Sequence, residues 1–124
     1  MKNFPRISDA EWQVMKVVWG RSPLAASAIV DILEPTTTWN HHTIKTLINR
    51  LVLKKVLGYR KEGRRHLFFP RVAEADCVRE ENRSFLQRVY GGAVRPMLAA
   101  FIEEEELSAE DIAELKRILN NKGR

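Results

Sequence analysis

Apolar positions recur at helical spacing near the start of the chain. Ser8 followed by Glu11 makes a capping box, which marks where a first helix begins. The apolar positions behind this box are Trp12, Met15, Val18 and Trp19. Gly20 and the pair Ser22-Pro23 are residues that end helices. The pattern therefore predicts a first helix that runs to about Trp19.

Two more helices are predicted before residue 55. One covers about Leu24 to Glu34, because Pro35 and the threonines behind it forbid its continuation. The next is capped by Asn40, and its apolar stripe consists of Ile44, Leu47, Ile48 and Leu51. At 3.6 residues per turn the opposite side carries His42, Lys45, Thr46 and Asn49, with Thr43 and Arg50 on the flanks. This third helix is predicted to present a polar face outward.

The period then changes from helical to alternating. Leu57, Tyr59 and Lys61 alternate up to Glu62-Gly63, and Arg65, Leu67 and Phe69 alternate back. Arg60, Arg64 and Arg65 crowd the tip of the hairpin that this pattern predicts. Helices followed by a basic hairpin are typical of a winged helix-turn-helix, here predicted for residues 5–71.

From Glu74 onward the pattern is helical only. Its apolar positions are Val78, Phe85, Leu86, Val89 and Tyr90, then Val94, Met97, Leu98, Phe101 and Ile102, and finally Ile112, Leu115, Ile118 and Leu119. Gly91-Gly92 separates the first two segments, and Ser108 with Asp111 caps the last. Three short helices bury too little surface to close a core alone, so residues 72–122 are predicted to dimerise, the alternative being packing against the winged domain. The predicted fold class is mostly α with a small β-hairpin wing.

The charge distribution separates the two parts of the chain. The 124 residues carry a net charge of +5, with 44% hydrophobic and 30% charged residues, which is typical of a folded protein. Residues 1–71 hold 13 Lys and Arg against 5 Asp and Glu, a net charge of +8, whereas residues 72–124 hold 8 against 11, a net charge of −3. Attraction to a phosphate backbone needs a localised cationic face. The first part is therefore predicted to bind double-stranded DNA.

The expected environment is the cytoplasm. No segment has the roughly eighteen consecutive apolar residues that a membrane span requires, so no membrane insertion is expected. Cys77 is the single cysteine, which rules out an internal disulfide and fits a reducing compartment.

Residue types on the third helix and the hairpin suit specific roles in DNA binding. Asn49 can pair with adenine and Lys45 with guanine, while Thr43 or Thr46 can meet a thymine methyl group. The expected phosphate contacts are Arg50, Arg60, Lys61, Arg64 and Arg65. Trp39 can pack against the sugar-phosphate backbone or belong to the core, and the sequence does not decide between these two interpretations.

The chain offers little that suggests catalysis. It has no glycine-rich phosphate loop, no recognisable nucleophile with an activating base and no metal-ligand spacing, so neither an enzyme nor a cofactor is predicted. His41, His42 and His66 raise the possibility of a metal site, but adjacent histidines point in different directions on a helix. His42 is expected to face DNA instead.

Several stretches together resemble a known family. They are Ile7-Ser8-Asp9-Ala10-Glu11-Trp12, Val14-Met15, Trp19, Trp39, Thr43-Ile44-Lys45-Thr46-Leu47-Ile48, Arg50-Leu51, Phe85, Val89-Tyr90-Gly91-Gly92, Leu107-Ser108 and Glu114-Leu115. In order and spacing this set is similar to the penicillinase-repressor family, the winged-helix transcriptional repressors of the BlaI, MecI and CopY type. The resemblance covers nearly the whole chain.

The resemblance implies a homodimeric repressor that binds a palindromic operator in the major groove and controls β-lactamase or related resistance genes. Its dimerisation residues would be Phe85, Val89, Tyr90, Leu98, Phe101, Ile102, Ile112, Leu115, Ile118 and Leu119. A membrane sensor protease cleaves such repressors beside a phenylalanine, and the matching pair here is Ala100 and Phe101. Well-known resistance repressors have asparagine where this chain has Ala100. The paired cysteines of the copper-responsive branch are absent here, which argues against copper control.

Other functions remain compatible with the sequence. The same fold could regulate metal homeostasis or other genes, or could present its third helix to a protein as an interaction module. A third alternative is architectural DNA binding without sequence preference. The basic hairpin argues against the protein-interaction module.

Overall fold

The computed structural model describes residues 5–123. Its elements in chain order are α1 (Asp9–Arg21), β1 (Leu24–Ala25), α2 (Ala26–Leu33), α3 (His41–Leu53), β2 (Leu57–Glu62), β3 (Arg65–Pro70), α4 (Glu74–Tyr90), α5 (Val94–Glu104) and α6 (Ala109–Lys122). A short 3₁₀ helix, Glu34–Thr36, follows α2. The chain divides between Glu80 and Glu81 into two compact units. The predicted fold class, mostly helical with a small sheet, is confirmed.

The first unit is built around one apolar core to which α1, α2 and α3 all contribute. Its most deeply buried apolar side chains are Val14, Met15, Val18, Ile29, Ile44, Ile48, Leu51, Val56 and Leu57. Trp12 and Trp19, expected on the apolar face of α1, are only partly buried, and their rings pack at the edge of the core with centroids 5.6 Å apart. The apolar stripe predicted for α3 is buried in full.

A small antiparallel sheet covers one side of this core, with its strands in the order β1-β3-β2. The second helix was predicted to begin at Leu24, and this boundary was wrong. Leu24 instead pairs with Phe68 and Ala25 with Leu67, so the two residues form β1, and α2 starts at Ala26. Strand pairing satisfies the backbone hydrogen bonds of these residues and buries Leu24. The partner strand is distant in sequence, so helical periodicity could not predict this pairing.

Side-chain caps fix where α1 and α3 begin. The backbone N–H of Glu11 donates to Ser8 Oγ at 3.2 Å, and the backbone N–H of Ser8 donates to Glu11 Oε1 at 2.8 Å. The predicted capping box is thus present in both directions. Asn40 Oδ1 accepts from the backbone N–H of Thr43 at 2.9 Å, which confirms the predicted cap of α3.

Glu11 is also the buried member of an ion pair. Its side chain is 1% exposed, and Lys54 Nζ lies 2.6 Å from Glu11 Oε1. Burial alone would raise the pKa of Glu11, but the hydrogen bond from Lys54, the bonds with Ser8 and the positive charge of Lys54 outweigh it. The pKa of Glu11 therefore lies below its ordinary value of 4.5.

The first unit continues into the start of α4. Trp19 Nε1–H donates to the backbone carbonyl of Val72 at 3.0 Å, and Lys16 Nζ lies 2.6 Å from Glu74 Oε2. Cys77 is buried with the core, and this burial, with the charges of nearby acidic residues, raises the pKa of its thiol. The boundary at residue 72 stays a prediction, while the compact unit extends to Glu80.

The second unit contains the rest of α4 together with α5 and α6. Gly91, at a φ of +58°, ends α4 in the left-handed conformation that glycine adopts most readily, and its N–H donates to the carbonyl of Gln87 at 3.1 Å. Ser108 and Asp111 form a second capping box at the start of α6, as predicted. Throughout residues 5–123, each helix is too short or too polar to cross a membrane.

We expect Glu11→Gln to lower stability at neutral pH by about 1 to 2 kcal/mol, because the amide loses the charge-assisted bond to Lys54. A depressed folded-state pKa stabilises the protein above the unfolded pKa, and this stability is lost as the pH falls through the folded pKa. The difference between variant and wild type should therefore shrink below pH 4.5. Urea unfolding at fixed protein concentration measures it.

Glu103→Gln, which changes an exposed glutamate, is the matched control and should not alter this pH profile. A Glu11→Gln deficit that stayed constant from neutral pH to the acid limit would contradict the assignment of the effect to the charge of Glu11.

Candidate nucleic-acid interface

The outer face of α3 is polar, continuous and accessible. Burial of the apolar stripe turns the other side of the helix outward, where the exposed residues are His42, Thr43, Lys45, Asn49 and Arg50. No carboxylate of residues 5–123 forms an ion pair with Lys45 or Arg50. These cations are therefore available to an external anion.

Thr46 differs from its neighbours on this face. It is half-buried, and its hydroxyl donates to the backbone carbonyl of His42 at 3.0 Å. Because that bond uses the only hydrogen of the hydroxyl, the side chain has a methyl group and an acceptor oxygen left for a ligand. The sequence pattern placed Thr46 on the outer face without showing this internal bond.

Strand pairing decides which face of the hairpin each cation occupies. Arg60 pairs with Leu67 and Glu62 with Arg65, so Arg60 and Arg65 share one face. Lys61 pairs with His66 and lies on the other face. Arg64 occupies the turn between the strands, next to Gly63. All four predicted cations are exposed, but they are not brought to a single face.

An aromatic stack that the sequence did not single out lies on the Lys61 face of the hairpin. The rings of Tyr59 and His66 are stacked with centroids 4.4 Å apart, and Phe68 packs against both. The available signal was Tyr59 on one strand and the alternating rings of His66 and Phe68 on the other. Within the part of the chain that the structure describes, no group of three or more His, Cys, Asp or Glu residues is arranged to hold a metal ion.

Two of the hairpin cations border an open groove. Arg64 and Arg65 line it together with His66 and Phe68, opposite the residues Ala25, Ala26 and Ser27 at the start of α2. The structure thus brings these two expected phosphate contacts together.

Trp39 precedes α3 and is half-buried against the core. Its backbone N–H donates to Thr37 Oγ1 at 3.2 Å, and Thr37 in turn donates to the carbonyl of Leu33 at 2.8 Å. These bonds link the segment before α3 to the end of α2. A core role for Trp39 therefore has direct structural support, and its remaining exposed surface adjoins the start of α3.

The second unit exposes a set of apolar side chains that we call the distal apolar surface. Its members are Val89, Leu98, Phe101, Ile102, Ile112, Leu115, Ile118 and Leu119, with exposed fractions from 36% to 57%. Two further predicted dimerisation residues, Phe85 and Tyr90, are partly buried; their rings pack on each other, and Phe85 also stacks on Phe101. No residue between 81 and 123 is buried in this chain.

Ala100 and Phe101, the expected cleavage pair, lie within α5. The ring of Phe101 stacks on that of Phe85 with centroids 6.0 Å apart and an interplanar angle of 17°. The pair therefore lies in regular helix and beside the aromatic contact that joins α4 to α5.

Comparisons with known proteins agree with this geometry. The model of the penicillinase repressor family matches residues 7–121. The penicillinase repressor of Bacillus licheniformis is 41% identical over 119 residues, which cover 96% of this chain and 93% of that protein. The methicillin resistance regulatory protein MecI of Staphylococcus aureus (strain N315) is 34% identical over 116 residues, 94% of each chain.

Solved structures resemble the first part of the chain. The DNA-binding domain of the repressor BlaI matches with a TM-score of 0.55 and 42% identity over 61% of this chain and 93% of that domain. The monomeric form of Bacillus licheniformis BlaI in complex with the blaP half-operator gives the same values. The family match over nearly the full length and these relatives show that the chain belongs to the penicillinase repressor family.

Proposed function

We propose that this chain is a transcriptional repressor that binds operator DNA through its first unit and forms a homodimer through its second. The observation that carries the proposal is the outer face of α3, with accessible Lys45 and Asn49 held outward by a fully buried stripe and a basic hairpin following in the chain. The BlaI domain bound to a half-operator, at 42% identity, supports the DNA-binding part.

In this proposal α3 enters the major groove and reads base edges. Asn49 carries an amide that can bond adenine at two points, and Lys45 can donate to the acceptors of guanine. Thr46 contributes its methyl group or acceptor oxygen, since its hydrogen is already bonded to His42. Thr43 and His42, exposed in the first turn, complete the reading face.

Phosphate contacts hold the protein in register. Arg50 flanks the reading face, while Arg64 and Arg65 line the groove beside α2. Such contacts supply affinity that depends on salt and carry no sequence information directly. Lys61, on the opposite face of the hairpin from Arg60 and Arg65, contacts a different phosphate in this arrangement.

Dimerisation covers the distal apolar surface. Eight large apolar side chains exposed on a unit without a single buried residue between 81 and 123 call for a partner surface. A second copy supplies an identical surface, and a two-fold dimer presents two reading helices. The operator is then an inverted repeat whose half-sites lie about ten base pairs, or a multiple of that, apart.

Loss of the dimer ends repression, because a single winged domain lacks the effective concentration that its partner supplies. Cleavage between Ala100 and Phe101 by a membrane sensor protease would detach α6, and six of the eight residues of the distal apolar surface, from α4. Control of β-lactamase or related resistance genes is the narrower form of the proposal, supported by the relatives named as penicillinase and methicillin resistance regulators.

Lys45→Ala and Asn49→Ala should each lower operator affinity by about tenfold or more, since one good base contact contributes roughly 1 to 3 kcal/mol. The dimer should stay intact because both side chains are exposed on α3 and neither residue belongs to the second unit. Titration of labelled operator duplex, with Lys116→Ala on α6 as control, measures this. Wild-type affinity in both variants would remove these residues from the reading face.

Arg64→Ala should weaken operator and random duplex equally and reduce the slope of log affinity against log salt by about 0.9, the loss of one phosphate contact. Arg83→Ala removes a cation from the second unit and serves as the control. An unchanged slope would exclude a phosphate contact at Arg64.

Leu115→Asp should release monomers, because it places a charge within the distal apolar surface. Ala113→Asp is the matched control, since position 113 lies on the opposite side of α6 from the apolar stripe. Sedimentation velocity reports the oligomeric state. A dimer that survives Leu115→Asp would exclude this part of α6 from the interface.

A further inference from the structure

The placement of α3 depends on more than its apolar stripe. Apolar packing is nondirectional, so the stripe buries one side of the helix without fixing its tilt closely. Lys54 is the C-cap residue of α3, and its backbone N–H donates to the carbonyl of Arg50 at 2.9 Å. Its side chain therefore starts at the end of the reading helix.

From there Lys54 reaches two other parts of the chain. Its Nζ donates to Glu11 Oε1 at 2.6 Å and to the backbone carbonyl of Arg6 at 2.8 Å. The same Glu11 oxygen accepts from the backbone N–H of Ser8 at 2.8 Å. Charge-assisted hydrogen bonds are short and directional, so this junction ties the end of α3 to the start of α1.

This ion pair differs from the others in the described residues. In those four pairs the carboxylate side chain is between 36% and 58% exposed, whereas that of Glu11 is 1% exposed. Glu11 Oε2 is buried and has no hydrogen-bond partner within residues 5–123. A buried carboxylate with only one oxygen satisfied is a poor source of stability, and a defined geometry is what such a pair supplies best.

The distances involved make tilt important for base reading. Lys45 lies nine residues before Lys54, or about 13 Å along the helix axis, so a tilt of about 5° at Lys54 moves Lys45 by about 1 Å. Base contacts need placement to about 0.5 Å, whereas long arginines at phosphates adjust to such shifts. A loosened end of α3 would therefore reduce sequence preference more than general affinity.

We propose that Glu11 and Lys54 are a positioning pair, which fixes the tilt of α3 on α1 and thereby sets the preference of this protein for its operator. This inference rests on the proposed function for its DNA readout only. The orientation of α3 in the free protein is a separate readout.

The test uses the full chain with Glu11→Gln, Lys54→Met and the double substitution Glu11→Gln/Lys54→Met. Operator and random duplex are titrated at two salt concentrations, and residual dipolar couplings of α1 and α3 amides report helix orientation without DNA. We expect the double variant to lose about tenfold in the ratio of operator to random affinity, with unchanged random affinity and salt slope. Its α3 couplings should no longer fit the wild-type orientation relative to α1.

Two controls separate positioning from general destabilisation. Lys54→Arg keeps the charge and can donate to both acceptors, so it should retain the operator preference. Lys16→Met/Glu74→Gln removes an ion pair of equal length between α1 and α4, away from α3, and should leave preference and orientation unchanged.

The proposal is overturned if a folded double variant keeps both the α3 orientation and the operator preference, or if operator and random affinities fall in parallel. If the double variant does not fold, Glu11→Gln decides: its neutral amide oxygen accepts weaker hydrogen bonds than the carboxylate, so the ratio of operator to random affinity should fall, and an unchanged ratio with unchanged α3 couplings would overturn the proposal. A wild type without operator preference would refute the proposed function, and the dipolar couplings would still decide the positioning role.

Discussion

Burial of the apolar stripe of α3 is the constraint on which the rest of this structure depends. Ile44, Leu47, Ile48 and Leu51 are all buried, and each contributes about 1.5 to 3 kcal/mol relative to exposure. No arrangement of the polar residues on the same helix can compete with that sum. The outward direction of Lys45 and Asn49 therefore follows from the core, and their identities are free to serve a ligand rather than the fold.

The two units differ in how completely they bury their apolar side chains. The first, with three helices and a small sheet, encloses a core of side chains from every one of its helices. The second has three helical segments and no buried residue between 81 and 123, so its apolar positions stay half-covered in a single chain. A short helical segment has too little interior to do otherwise. Under the proposed function, a second copy of the chain covers these apolar positions.

Most of the features that were predicted correctly from the sequence are determined by residues close together in the chain. The caps at Ser8 and Asn40 and the break at Gly91-Gly92 each depend on a few neighbouring residues, and the sequence predicted all three. Features that depend on residues distant in sequence were not predicted. The strand at Leu24-Ala25 exists because of its pairing with β3, and the Glu11–Lys54 pair joins residues 43 apart. The outer face of α3 followed from helical period alone, whereas the faces of the hairpin cations required the register between β2 and β3.

Under the proposed function, the outer face of α3 binds DNA and the distal apolar surface forms the dimer, and this separation has a thermodynamic consequence. Two linked half-site contacts bind more tightly than either alone by a factor of about 10² to 10⁴, without any new contact to DNA. Occupancy of the operator is then controlled by the dimer equilibrium, while Lys45 and Asn49 remain unchanged. An interface of partly exposed apolar side chains is suited to such control. A small decrease in the free energy of dimerisation lowers the fraction of dimer, and with it the occupancy of the operator. The reading helix can therefore stay rigid while regulation acts elsewhere in the chain.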